Sequence, residues 1–260
     1  MRFGIVSDIH GNLPALLAVV ADAGVVAGWM NLGDIVSGPL WPAETAAWLM
    51  QRGWPTIAGN HERQVLTDAP AHMGASDRYA LERLSPAQWA WMAGLPEQMT
   101  PADGLWCVHG TPASDLVYLL ESVTPAGRHA ATTAEIQQRL TEPPAGTQML
   151  LCGHSHMPRE VRVGALQVVN PGSVGLQAFD HDWPHPHTVE NYSPKARYAL
   201  LTQDQLGWTV DLRAVAYDHE AAAAKAQQAG FADWAHALRT GRAGRTGRTG
   251  RTGQALSRAD

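Results

Sequence analysis

Arg2-Phe3-Gly4-Ile5-Val6-Ser7 runs into Asp8-Ile9-His10-Gly11-Asn12, a short apolar run that breaks into a polar cluster, with a helical stretch over 14–22 behind it. The same order then returns. An apolar run around Trp29 to Leu32 ends at Gly33-Asp34, Pro42 starts a helix through Met50, and Pro55 to Ala58 ends at Gly59-Asn60-His61-Glu62. Strand, helix, strand, helix, strand at this spacing predicts right-handed crossovers and a largely parallel core. Ligands of such sheets gather beyond the carboxyl ends of the strands, so the polar clusters are expected to converge.

Farther along, residues 62–94 read as helical, with Ser85-Pro86 as a cap and first-turn pair. Leu105 to Val108 and Gln148 to Cys152 read as strands that end at His109-Gly110 and Gly153-His154-Ser155-His156. A short helix is expected near Ala134 to Leu140, closed by Pro143-Pro144. Alternating runs at 160–169, 196–202 and 207–217 predict strands of a second sheet. A last helix carries Phe231, Trp234, Ala235 and Leu238 on one face. From 240 to 253 the chain repeats a triplet of Thr or Ala, Gly and Arg. With almost nothing apolar to bury, 240–260 reads as a disordered tail behind a single domain over 1–239.

The 260 residues, 45% apolar and 17% charged, suffice for one buried core and exclude general disorder or a coiled coil. Pro14, Asp22 and Asp34 interrupt the most apolar stretch, which argues against a membrane span, and the first residues read as a strand rather than a signal peptide. A cytoplasmic location is therefore expected. It agrees with two cysteines, Cys107 and Cys152, which read as buried thiols. Charge is split: residues 1–238 hold 13 basic and 23 acidic side chains, a net −10, while the last 22 positions carry +5. Such a body repels phosphate groups unless cations are bound locally.

The residues that end the strands are Asp8, His10, Asp34, Asn60, His61, His109, His154 and His156. Two carboxylates, several imidazoles and an amide oxygen suit manganese, iron or zinc rather than calcium, and the lack of thiolates disfavours a closed structural zinc site. Seven candidate ligands exceed the needs of one tetrahedral ion. Two divalent ions roughly 3.5–4 Å apart, sharing one carboxylate, would use them all and leave a position for water. A phosphate ester is the substrate such a centre suits.

Asp8-x-His10, Gly33-Asp34, Gly59-Asn60-His61-Glu62, His109 and Gly153-His154-x-His156, in that order, resemble the motifs of the calcineurin-like metallophosphoesterase superfamily. Asn170-Pro171-Gly172-Ser173-Val174-Gly175 is similar to the segment that follows the double histidine in small bacterial members. The resemblance implies an α/β fold, a four-layer α-β-β-α sandwich of two mixed sheets flanked by helices. It also implies Asp8, His10 and His156 on one metal, Asn60, His109 and His154 on a second, and Asp34 bridging them. His61 would stabilise or protonate the leaving oxygen while a hydroxide held by the metals attacks phosphorus in line. Manganese or iron is the expected pair, with zinc as the alternative.

The sequence departs from that pattern after Asp34. Ser37 stands where phosphatases of the family have the acid that orients the catalytic histidine, and Gly38 where they have an arginine that grips phosphate. A diester carries less charge than a monoester and needs that grip less, so a small phosphodiester is the expected substrate. The alternatives are a protein Ser/Thr or nucleoside-polyphosphate phosphatase, or a non-catalytic scaffold that holds nucleic acid through its arginine tail. No membrane partner is expected, and the insertions at 62–100 and 113–147 leave room for pairing of subunits. The stretch Asp180 to His187 reads as a solvated, proline-rich loop, with a rim or lid over the site as the other reading. Trp48, Trp54, Trp89 and Trp91 read as packing residues.

Overall fold

The computed structural model describes residues 1–205 and 207–244, so most of the arginine-rich tail, 245–260, lies outside the described residues. In chain order the elements are β1 (Arg2–Val6), α1 (Leu13–Ala23), β2 (Gly28–Asn31), α2 (Pro42–Arg52), α3 (Asn60–Thr67), α4 (Ala75–Leu81) and α5 (Pro86–Ala93). There follow β3 (Gln98–Met99), β4 (Leu105–Val108), β5 (Glu121–Thr124), β6 (Gly127–Ala130), α6 (Thr133–Arg139), β7 (Met149–Leu151), β8 (Arg159–Val163) and β9 (Leu166–Asn170). The remainder is β10 (Ala178–His181), β11 (His187–Glu190), β12 (Ala196–Asp204), β13 (Gly207–Val215), α7 (His219–Gln228) and α8 (Ala232–Thr240).

Two mixed sheets carry the fold. One has the order β13-β12-β1-β2, with β1 and β2 parallel and the other pairs antiparallel. The other has the order β3-β4-β7-β9-β8, parallel at its centre and antiparallel at both edges. Strand alternation sorts the side chains into layers. Ile5, Met30, Leu32, Ala199 and Leu201 of the first sheet meet Leu105, Cys107, Met149, Leu151 and Val169 of the second. Val6, Trp29, Tyr198 and Leu200 face the other way, onto α1 and α2. Trp106, Val108, Leu150, Cys152 and Val168 pack under Leu119, Leu120 and Ile136 on the far side. The order is helix, sheet, sheet, helix, the four-layer sandwich that the resemblance implies.

Local signals set most helix ends. Asn12 accepts from the Ala15 main-chain N–H at the start of α1, with Pro14 in its first turn. Ser85 and Gln88 cap α5 reciprocally. Gly53, with φ of 61°, closes α2. Trp29 stacks on Trp54 at 4.8 Å and Trp48 meets Trp54 edge-on at 5.1 Å, so these rings are packing residues.

Several expectations change. The helical stretch over 62–94 is three helices: the last starts at the expected Ser85-Pro86 cap, and a further break falls near Pro70, because proline denies the backbone a donor and restricts the residue before it. The strands at 196–204 and 207–215 join β1 rather than the second sheet, whose centre is β4, β7 and β9. Residues 55–57 give only an isolated bridge, Thr56 to Asn31. An alanine-rich helix, α7, precedes the last one, and Ala222, Ala223 and Ala226 pack it against Leu238 of α8 and Leu40. Its short side chains carry little periodic signal. No helix among the described residues is long and apolar enough to cross a membrane.

Candidate metal centre

Five of the site residues leave their strands through the left-handed region: Asp8, His10, Asp34, His154 and His156 have φ between 51° and 64°. Asp and His tolerate this conformation better than branched residues do, and such backbone persists only where its surroundings over-determine it. Here they do. The main-chain N–H groups of Asp8 and His10 donate to the carbonyls of Gly33 and Asp34, each at 3.0 Å, which ties the end of β1 to the end of β2. Ser173 Oγ donates to the Asp8 carbonyl at 2.8 Å, and Asn170 Nδ2 to that of Gly153 at 2.7 Å. The stretch Asn170 to Gly175 is thus the seat on which both loops rest.

Glu62 holds a third joint. Wholly buried, it accepts from the main-chain N–H groups of Asp34 (2.7 Å), Ile35 (2.7 Å) and Gly59 (2.9 Å). Burial and the nearby Asp34 carboxylate raise its pKa, and these donors resist that rise. Gly59 is required by proximity, since a Cβ there would collide with Oδ1 and the main-chain N of Asp34. With that space free, Asp34 Oδ1 accepts from the His61 main-chain N–H at 3.0 Å.

The convergence expected from the strand ends is observed. Asp8, His10 and His156 each offer an atom within 4.8 Å of the others, and so do Asp34, His109 and His154. Asn60 Oδ1 lies 3.2 Å from His109 Nε2, which itself stands 3.1 Å from Asp34 Oδ2. The two groups adjoin, for the His154 main-chain N–H donates to Asp8 Oδ2 at 3.2 Å.

Tautomers follow from the outer contacts, because a carbonyl can only accept. Nδ1 of His10, His109 and His156 lies 2.7 Å from the carbonyls of Ser37, Leu32 and Leu176 respectively. In each ring Nδ1 therefore bears the proton and Nε2 turns inward. His154 is reversed: Nε2 donates to the Leu116 carbonyl at 3.0 Å and Nδ1 turns inward. Burial and the His156 ring bring His10 down to about 4, and burial with the His109 ring brings His154 down to about 3, so both rings keep a free lone pair at neutral pH. At His109 the Asp34 carboxylate overcomes burial and holds the ring up at about 9, with Nε2 turned to that carboxylate. His10 Nε2 and His156 Nε2 face each other at 3.1 Å, and Asp8 Oδ1, 3.2 Å from His156 Nε2, accepts no hydrogen bond of good geometry. Inward lone pairs and an unsatisfied buried carboxylate oxygen are what a cation would satisfy, so this donor set fits divalent metal.

His61 stands apart, with a quarter of its side chain exposed. Its Nδ1 lies 2.7 Å from Asp77 Oδ1 on α4. Burial opposes its charge, but Asp77, Asp34 and Glu62 together hold it up at about 10. Ser37, standing where an orienting acid was expected to be missing, bonds Ser76 Oγ at 3.1 Å, next to that aspartate. Sequence reasoning did not find Asp77 because nothing in Ala75 to Leu81 marks one acid among polar residues. Glu62 had a signal, its place three residues after Gly59 at a helix start.

The stretch 180–187 differs from the expected loop. Its ends are the paired strands β10 and β11, and its tip is exposed. His187 is buried with Nε2 3.1 Å from the Tyr118 hydroxyl, and the Tyr118 ring lies 4.9 Å from that of His154. Cys107 and Cys152 are buried free thiols, and burial raises the pKa of both.

Comparison with known proteins agrees with this architecture. The structure of a metallophosphoesterase from Sphaerobacter thermophilus superposes with a TM-score of 0.71 at 24% identity, over 92% of this chain and 99% of that one. A hypothetical protein from Pyrococcus horikoshii OT3 gives 0.69 at 21% identity, over 92% of this chain and 98% of that one. No curated protein matches. The family model described as the calcineurin-like phosphoesterase superfamily domain matches residues 1–189, which carry every motif discussed above, and the chain belongs to that superfamily.

Proposed function

We propose that the protein is a dimetal phosphoesterase that hydrolyses a small phosphodiester. Asp8, His10 and His156 would hold one divalent ion, and Asn60, His109 and His154 the other, with Asp34 between them. A bound pair of such ions would polarise a phosphoryl oxygen and make water acidic enough to attack phosphorus near neutral pH. The observation that carries the reading is the inward set of ring nitrogens, each fixed by an outer hydrogen bond to a main-chain carbonyl.

The chain's remaining task is the leaving group. His61, held charged and turned by Asp77, would give its Nε2 proton to the departing oxygen as the bond from phosphorus to that oxygen breaks. Arg63 acts electrostatically on Asp34 but is committed by two bonds, 2.6 and 2.9 Å, to Asp115. An arginine so engaged is a poor grip for a dianion, which supports a singly charged diester.

Hydrolysis of bis(p-nitrophenyl) phosphate and of p-nitrophenyl phosphate, with manganese, iron or zinc supplied and then chelated, tests the proposal. Expected are turnover of the diester above the monoester and its loss with chelator. A protein that takes up no ions, or cleaves neither ester when loaded, would overturn it.

A further inference from the structure

The family match ends at residue 189, yet the chain beyond it returns to the site. Trp234, on α8, lies against His10 with ring centroids 5.8 Å apart and planes at 80°. Phe179, on β10, lies against His156 at 4.7 Å and 68°. Both aromatic rings pack on one small cluster, Leu176, Ala178 and Ala237, so they form one surface rather than two unrelated contacts. Both remain partly exposed although the two histidines they touch are buried.

His61 lies on the other contact of the His10 ring. It is a quarter exposed, and its ring lies 5.4 Å from that of His10, so Trp234 and His61 flank the same imidazole. An alcohol that departs at His61 thus leaves next to an imidazole that Trp234 also contacts. Gly38 closes the alternative. A Cβ at that position would collide with the His10 carbonyl oxygen and come within 3.1 Å of the Trp234 ring, so no side chain can enter there. The indole thus lies against both His10 and position 38, and position 38 cannot supply a cation beside it.

We propose that Trp234 and Phe179 form the leaving-group subsite, and that it selects phosphodiesters whose leaving alcohol is attached to a planar aromatic group. This rests on the phosphoesterase reading above. An aromatic group gains from contact with aromatic walls beyond its area burial, whereas a small alkyl group gains little.

The test uses ligands that are not turned over. Calorimetry on the manganese-loaded full chain compares phenylphosphonate with methylphosphonate, which share a headgroup. Phenylphosphonate is expected to bind about tenfold more tightly. Trp234→Leu, which keeps apolar bulk in the packed cluster, and Phe179→Leu are each expected to shrink that ratio to about threefold or less. Equal binding by the native chain, or an unchanged ratio in both folded variants, overturns the proposal. Should one variant fail to fold, the other decides. Phenyl preference without hydrolysis of any diester would sink the catalytic reading and keep the subsite; hydrolysis without preference would do the reverse.

Discussion

Asp77 Oδ1 and His61 Nδ1 are 2.7 Å apart, with the aspartate buried and the histidine a quarter exposed. The pair joins α4 to the first turn of α3. An aspartate so placed fixes which ring nitrogen points outward and holds the proton on it, the work of a positioning residue.

Asp77→Asn is expected to lower kcat by about 10- to 100-fold, with metal content unchanged. The sign of the pH effect follows from the raised pKa. As the proposed proton donor His61 would act in its charged form, so activity should fall as pH rises through its pKa, and that pKa is held up by Asp77. The asparagine variant should therefore lose activity at lower pH than the native enzyme. An alkaline limb that does not move in kcat-against-pH curves would count against the role.

His61→Gln is expected to cost about 10²- to 10⁴-fold in turnover while sparing bound metal. Because Asp77 works through His61, the double variant should be scarcely slower than His61→Gln alone. Additive losses would mean that the two act independently. Metal analysis beside steady-state rates for the four proteins checks both statements.

Glu62→Gln replaces an acceptor of three main-chain N–H groups by an amide with one acceptor atom. At least one buried donor then loses its partner, and the new NH₂ group faces other donors. The expected cost is about 2–3 kcal/mol, read as a lower midpoint in urea unfolding of metal-free protein. Since the same carboxylate ties Asp34 to Gly59, metal affinity should weaken as well.

Most of the candidate site was legible because its residues follow strands or, for Asn60, the isolated bridge at Thr56, and strands of a parallel core end on one side. Asp8, Asp34, Asn60, His109 and the double histidine were each placed by that rule. Asp77 was not, since its partnership with His61 depends on how α4 packs, and no periodicity encodes that angle. The aromatic wall escaped for a related reason: Trp234 reads as one residue of an amphipathic face, and only the packed structure shows that this face abuts His10. The second-sheet assignment of 196–215 failed because alternation reveals a strand but not its partner.

Removing one cluster should leave the other. His156→Ala takes a donor from the group with Asp8 and His10, and His109→Ala one from the group with Asp34 and His154. If two ions bind, elemental analysis of each variant should fall from about two per chain toward about one, with diesterase activity lost in both. Retention of about two ions by either variant would show that the lost ring was no essential ligand.

Gly59→Ala tests the closeness of the Asp34 loop without substituting any candidate ligand. The added methyl must displace the Asp34 carboxylate or the main-chain N beside it, and both are backed by Glu62 and His61. The carboxylate is held by the His61 main-chain N–H and the N beside it is backbone, so the shift falls on Asp34 itself. The variant is expected to fold, to be less stable by about 1–3 kcal/mol, and to bind manganese at least about tenfold more weakly. Native affinity in a titration would mean that Asp34 does not need its present place, and its role between the two ions would fail with it.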